Sequence, residues 1–220
     1  MKKLIIFGAG DMAELAHFYF ENDSDYEVVA FLVDDDFKRE EEFERKPLIT
    51  ISTLIKDYPN SEFEVFVALG YSKMNTNRKE KYLQIKKLGY NLPSYVSSRA
   101  TILNNGNIGA NCFILEDNTI QPRVEIGNNV VLWSGNHIGH HSIILDHSFI
   151  SSHVVISGGV KIEESVFIGV NATIRDHIVI GERSLIGAGA IIMKSTNPES
   201  VYVADATSPI NMKSTQIRSI

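Results

Sequence analysis

From Val96 onward the chain repeats itself every six residues. Steps of six give Val96, Ile102, Ile108, Ile114, Ile120, Ile126, Leu132, Ile138, Ile144, Ile150, Ile156, Ile162, Ile168, Ile174, Ile180, Ile186 and Ile192: seventeen aliphatic residues in unbroken phase, fifteen of them isoleucine. Two residues before each of these the side chain is mostly small or β-branched, as at Cys112, Val130, Ser142, Val154 and Ala172, and one residue after it is often glycine, as at Gly109, Gly127, Gly139, Gly169, Gly181 and Gly187. A fixed period constrains a fold more strongly than local propensity does. Six suits neither a helix nor a hairpin, but it suits a triangular solenoid in which each hexad makes one side and one corner, and eighteen residues make one turn with the aliphatic residue inward. The spacing therefore predicts a parallel β-helix of five to six turns, about 25 Å long at roughly 4.8 Å per turn. No large insertion is expected between Val96 and Ile192. The glycines after the aliphatic positions are assigned to the corners, where positive φ is easily reached. An unpaired strand at each end of the coil would invite aggregation. The residues before Val96 are expected to cover one end, and the chain after Ile192, with Pro198 and Pro209, the other.

The preceding residues follow another rule. Short apolar runs at Lys3–Phe7, Val28–Val33 and Phe63–Leu69 alternate with amphipathic stretches at Asp11–Phe20, Thr53–Tyr58 and Arg78–Leu88, the pattern of βαβ units around a parallel sheet of three or four strands. The charged stretch Asp34–Arg45 reads as a solvated loop. The chain thus divides into an α/β, Rossmann-like βαβ domain at 1–95 and a β-helix with a C-terminal tail at 96–220. The first strand runs into the turn Gly8-Ala9-Gly10-Asp11 and then a helix, a pattern that brings backbone N–H groups to a pyrophosphate. Asp34 and Asp35 end the second strand, where an acid can contact a ribose or a base. About 95 residues are too few for the six-stranded sheet of a dinucleotide oxidoreductase.

Net charge narrows the partners. A formal charge of −6 and a pI near 5.6 argue against nucleic acid and anionic membranes. The opening MKKLIIFGAG lacks the cleavage pattern of a signal peptide, so a cytoplasmic protein without membrane insertion is expected. The single cysteine, Cys112, falls on a small inward position and reads as core. Five histidines lie between His137 and His153, but they fall at different places around the prism and none is eighteen from another, so no metal site is expected.

A βαβ unit carrying Gly8-Ala9-Gly10, followed by aliphatic-glycine hexads, resembles the hexapeptide-repeat sugar acyltransferases. Within them it is most similar to the sialic acid O-acetyltransferase-like group, which includes N-acetyltransferases of nucleotide-linked 4-amino sugars such as bacillosamine and perosamine. The resemblance implies a left-handed β-helix, a homotrimer, and acetyl-CoA bound as co-substrate between neighbouring β-helices. It implies acetylation of an amino group, at C4, of a nucleotide-linked aminosugar in bacterial surface-glycan biosynthesis. The alternative is O-acetylation of a sugar such as sialic acid, which would not need a nucleotide site.

The segment Asn136–Ser142 looks like the family's catalytic stretch, which makes His140 the general base by resemblance. Repeat geometry agrees, because Gly158, eighteen residues on, leaves room beside His140 and offers a backbone N–H to an oxyanion. His147 is the second candidate for a substrate or catalytic contact, while His137, His141, His153 and His177 read as surface or interface residues. The family's catalytic histidine usually has an acidic neighbour, whereas Gly139 and His141 flank His140 here. The resemblance assigns Gly8, Gly10, Asp11, Asp34, Asp35 and Gly70 to the nucleotide sugar. It assigns Gly158, Gly159, Asp176 and Lys194 to acetyl-CoA, with Lys213 a further cationic candidate.

Overall fold

The computed structural model describes residues 2–216; Met1 and residues 217–220, the outer ends of the two expected domains, lie outside it. The first half is built from β1 (Lys2–Phe7), α1 (Asp11–Asn22), β2 (Tyr26–Val33), β3 (Glu42–Phe43), β4 (Lys46–Thr50), α2 (Ile51–Asp57), β5 (Phe63–Val67) and α3 (Thr76–Lys87). Its sheet has the order β3-β4-β2-β1-β5 and is parallel except for the β3–β4 pair. The central strand β1 buries Leu4, Ile5, Ile6 and Phe7 in succession, as expected of a strand covered on both faces. Helix α1 covers one face with Ala13, Ala16 and Phe20, three and four residues apart. Thr50 caps α2, its side chain accepting from the Thr53 N–H at 3.4 Å.

The sheet has one more full strand than the apolar runs suggest. The charged stretch read as a loop contains a 3₁₀ turn at Asp35–Phe37 and then β3, which turns back on β4. Leu48 and Ile49 are the large apolar residues of β4, which left it unread; they register with Phe31 and Leu32 of β2. Pro47 faces only the two-residue outer strand β3, where the missing N–H is tolerated.

The second half is a left-handed parallel β-helix of triangular section. Its strands are two residues long, one per hexad, and each pairs with the strand eighteen residues away, as Phe113 with Val131 and His137 with Val155. The three faces hold seven, six and four strands. The repeating isoleucines from Ile138 to Ile186 are fully buried, each worth about 1.5–3 kcal/mol of transfer free energy. Cys112 lies in this core, where burial pushes its thiol up to about 11.

Two expectations are corrected. Positive φ occurs three residues after the aliphatic position rather than one, at Asn111, Asn129, Gly135, His141, Gly159 and His177 among others (φ 54–77°). Asn and His tolerate this region better than most residues. The glycine immediately after the aliphatic has a steric cause: a Cβ on Gly139 would stand 2.5 Å from the backbone carbon of Ser157, and one on Gly109 would stand 2.5 Å from that of Gly127. Successive turns approach too closely there for a side chain.

The α/β domain covers a flank of the coil, not its end. Outward residues of the seven-stranded face, Tyr95, Phe113, Val131 and Phe149, form one buried cluster with Leu4, Ile6, Phe20, Phe31 and Phe66. At the corner beside this face, Asn111 accepts from the Val67 N–H (2.7 Å) and donates to the Val67 carbonyl (3.2 Å), satisfying the end of β5. Buried Arg78 of α3 donates to the carbonyls of Asn129, His147 and Ser148 at 3.3, 2.8 and 3.2 Å. At the C-terminal end the phase closes up. Val201–Tyr202 pairs with Leu185–Ile186, and Tyr202 packs on the coil core. Residues 203–216 are exposed. No described helix is long and apolar enough to cross a membrane.

Candidate active site

The corner between the six-stranded and four-stranded faces lies opposite the flank that carries the α/β domain. Here the strand His137–Ile138 ends, Gly139 passes against the next turn, and His140 and His141 form the bend. The His140 N–H donates to Gln121 Oε1 at 2.8 Å. Its ring lies on Gly158, where a Cβ would stand 2.6 Å from Cε1 and 2.8 Å from Nε2. Any other residue at 158 would displace the imidazole. The carbonyl of His140 accepts from the Gly159 N–H (2.8 Å), which fixes the two turns against each other. Among the described residues no protein acceptor takes the Gly158 N–H, so a donor remains beside the ring. The Nδ1 atoms of His140 and His141 are 3.0 Å apart with their rings nearly perpendicular. Both side chains are exposed.

The other residues assigned to acetyl-CoA fall around this corner. Gly159 lies under the ring of His177, with a Cβ-to-Nδ1 distance of 2.5 Å. Asp176, one turn beyond Gly158, contacts Arg175 at 3.7 Å and His177 at 3.9 Å. Lys194, a further turn on, is exposed, as is Lys213 in the tail. His147 is not at this corner. It is 4 % exposed in the contact between the halves, its Nδ1 2.8 Å from Asn129 Nδ2 and its ring edge-on to Tyr82. Burial pulls its imidazole down to about 4, against the opposing pull of Asp146 and Glu164. The ring is thus built into the contact between the two halves. Among the described residues no group of three or more His, Cys, Asp or Glu side chains could hold a metal ion.

A second concavity opens above β1. Gly8 has φ 137°, and a Cβ there would stand 2.7 Å from the Ala68 carbonyl oxygen, so glycine lets β1 and the chain after β5 close together. Gly10 precedes α1 with no side-chain cap, and nothing lies within 4 Å of its would-be Cβ. The uncapped N–H groups of α1 and the open backbone favour an anion. A cleft of about 520 Å³ follows, lined by Gly8, Ala9, Asp34, Lys73, Asn77 and Lys81 among others. Asp34 meets Lys81 at 2.6 Å.

Three of the assigned nucleotide residues do not line this cleft. Asp35 turns to the start of α2, where hydrogen bonding by Ser52 holds its carboxyl below the usual range. The Gly70 carbonyl accepts from Arg78 (3.3 Å), and Asp11 is exposed in the first turn of α1. The rim that the sequence did not reveal is the turn Lys73-Met74-Asn75, three successive residues in the left-handed region (φ 52°, 51° and 64°). Each costs about 1–2 kcal/mol. Asn75 Nδ2 holds the turn by donating to the carbonyls of Ser165 and Val166 on the coil (3.2 and 3.3 Å).

Comparison with known proteins gives both halves a counterpart. The family model described as PglD N-terminal domain matches residues 3–85, and that described as bacterial transferase hexapeptide (six repeats) matches 105–139, 124–158 and 159–194. Among solved structures, the acetyltransferase domain of PglB from Neisseria gonorrhoeae in complex with acetyl coenzyme A is similar, at 21% identity over 91% of this chain and 95% of that chain, with a TM-score of 0.78. PerB from Caulobacter crescentus in complex with CoA and GDP-perosamine is similar at 17% identity over 91% of this chain and 93% of that chain, with a TM-score of 0.79. WeeI from Acinetobacter baumannii is similar at 20% identity over 91% and 96%, with a TM-score of 0.76. At such identities the likeness is one of fold. A search of curated proteins gave no match. With the two models matching residues 3–85 and 105–194, the chain joins a PglD N-terminal domain to bacterial transferase hexapeptide repeats.

Proposed function

We propose that the protein transfers an acetyl group from acetyl-CoA to the amino group, at C4, of a nucleotide-linked aminosugar, a step of bacterial surface-glycan biosynthesis carried out in the cytoplasm. The observation that carries this reading is the ring of His140 seated on Gly158, beside a backbone N–H without a protein acceptor. The similar structures hold acetyl coenzyme A, and CoA with GDP-perosamine. The cleft at the uncapped start of α1 suits the diphosphate of a nucleotide sugar.

An aminosugar is largely protonated at neutral pH, and only its free amine attacks. The amine nitrogen bonds to the thioester carbonyl carbon, and the developing oxyanion accepts from the Gly158 N–H. Nε2 of His140 takes the N–H proton as the C–N bond forms. The C–S bond then breaks, the thiolate leaves, and the proton passes from His140 to sulfur, giving amide and free thiol. No covalent enzyme intermediate is needed.

The two concavities lie on opposite sides of one chain. The α/β domain occupies the seven-stranded face, and His140 stands on the edge between the other two faces. A homotrimer resolves this, because the edge of one coil then meets the flank of its neighbour and three equivalent sites form between subunits. The class of reaction is tested by thiol release from acetyl-CoA against UDP-, GDP- and dTDP-linked amino sugars and free sialic acid. Turnover is expected with a nucleotide aminosugar only. Preferential turnover of sialic acid, without binding of any of the three nucleotides, would overturn the assignment.

A further inference from the structure

We infer that His141 is a positioning residue of the acyl transfer: its Nδ1 accepts a hydrogen bond from Nδ1–H of His140 and holds His140 in the tautomer whose Nε2 carries a free lone pair. The inference rests on the general-base role of His140 and adds the group that prepares it. Two neutral imidazoles whose Nδ1 atoms are 3.0 Å apart share one proton, so one ring donates and the other accepts. If His140 donates, its Nε2 is bare and can take a proton from the amine. If His141 donates, the proton of His140 sits on Nε2 and no base remains at the outer edge of the ring. Neutral histidine in water favours the Nε2–H form. An unassisted His140 would therefore spend most of its time unable to act.

The productive direction needs a proton on Nε2 of His141, which leaves its Nδ1 as the acceptor toward His140. His141 is exposed and lines a groove with Asn105, Asn107, Arg123 and Glu125, so a proton on its outer nitrogen keeps water as an acceptor. On the other side, the neighbouring turns present Gln121, which takes the backbone N–H of His140, and Asp176 with His177 beyond Gly158. The backbone of His141 is left-handed (φ 60°), and its N–H donates to the Pro122 carbonyl (3.3 Å). This orientation keeps the two rings perpendicular and in contact.

A carboxylate orients a catalytic histidine in the same way and also stabilises the imidazolium. His141 supplies the orientation without the negative charge. Equivalent corners hold glycine at 135 and 159 and asparagine at 111 and 129 with positive φ. The bend can thus accept small substitutions without strain.

The test uses the full-length protein and two variants, His141→Gly and His141→Asp, each first matched to wild type in thermal midpoint and oligomeric state. His141→Gly should lower kcat by at least about tenfold, with both KM values within about twofold. Nitrogen-15 NMR should show His140 protonated on Nδ1 in wild type and on Nε2 in His141→Gly. His141→Asp should restore turnover at alkaline pH and move the acid limb of kcat to higher pH, because an anionic acceptor favours the imidazolium. A role confined to packing would not move that limb. Wild-type kcat in His141→Gly, or Nε2–H in wild-type His140, overturns the inference while leaving the general base intact if His140→Asn is inactive. Full activity in both His141→Gly and His140→Asn removes the base itself, and the positioning role with it.

Discussion

The imidazole of His140 occupies the space that a Cβ on Gly158 would fill, 2.6 Å from its Cε1. Gly139 faces a different obstacle, the backbone of Ser157 at 2.5 Å. An exposed ring can swing aside, but the backbone of the next turn cannot. Gly158→Ala is expected to change unfolding free energy by less than about 1 kcal/mol while lowering kcat roughly 10–100-fold through displacement of the base. Gly139→Ala is expected to cost about 1–3 kcal/mol as overpacking. Urea unfolding and initial rates on the two variants check this reversed ordering.

Buried His147 should make stability depend on pH. Its folded value near 4 lies below the ordinary 6.5 because burial disfavours the imidazolium. Between these values the unfolded chain binds more protons. Stability from this residue is therefore present above about pH 6.5 and is lost as pH falls toward 4, by up to roughly 3 kcal/mol. Asn occupies equivalent positive-φ corners at 111 and 129, so His147→Asn should keep the bend and flatten this part of the profile. The check is the urea midpoint of both proteins from pH 4 to pH 7.5.

The left-handed turn Lys73-Met74-Asn75 is held from the coil by the amide of Asn75. Asn75→Ala removes that hold and places alanine at positive φ. A loss of about 1–3 kcal/mol is expected. Because Lys73 lines the cleft above β1, KM for the nucleotide sugar should rise several-fold while kcat at saturation stays near wild type. Steady-state kinetics with each substrate varied in turn measure both.

The proposed trimer, with each site completed by two subunits, predicts complementation. His140→Asn protein and a cleft variant, Lys81→Met, should each be nearly inactive, and refolding them together should restore turnover at interfaces that pair an intact cleft with an intact histidine. Light scattering of the mixture should give the trimer mass. No gain on mixing, or full activity in a monomer, would contradict a shared site.

The coil was readable because an eighteen-residue turn leaves the same imprint on every hexad, and Ile138, Ile144 and Ile150 are buried as the period requires. The eighteen-residue offset also paired His140 with Gly158. The cause of the glycines was not readable, since positive φ and close backbone approach both demand glycine and only coordinates separate them. The place of the α/β domain was recorded in Tyr95, Phe113, Val131 and Phe149, large outward residues eighteen apart, a second period masked by the stronger one. The burial of His147 was not readable, because it comes from the docked α/β domain and not from the repeat. The cleft residues Lys73, Asn77 and Lys81 belong to a polar helix and the turn before it, which carries no motif.

The most direct test of the account is the turnover of His140→Asn, which keeps much of the size and polarity of the side chain and removes the titratable Nε2. If His140 takes the amine proton, kcat should fall about 10²–10⁴-fold with nucleotide-sugar and acetyl-CoA binding nearly unchanged. The rise of wild-type kcat/KM with pH should vanish in the variant. A folded, trimeric His140→Asn with wild-type kcat would contradict the account.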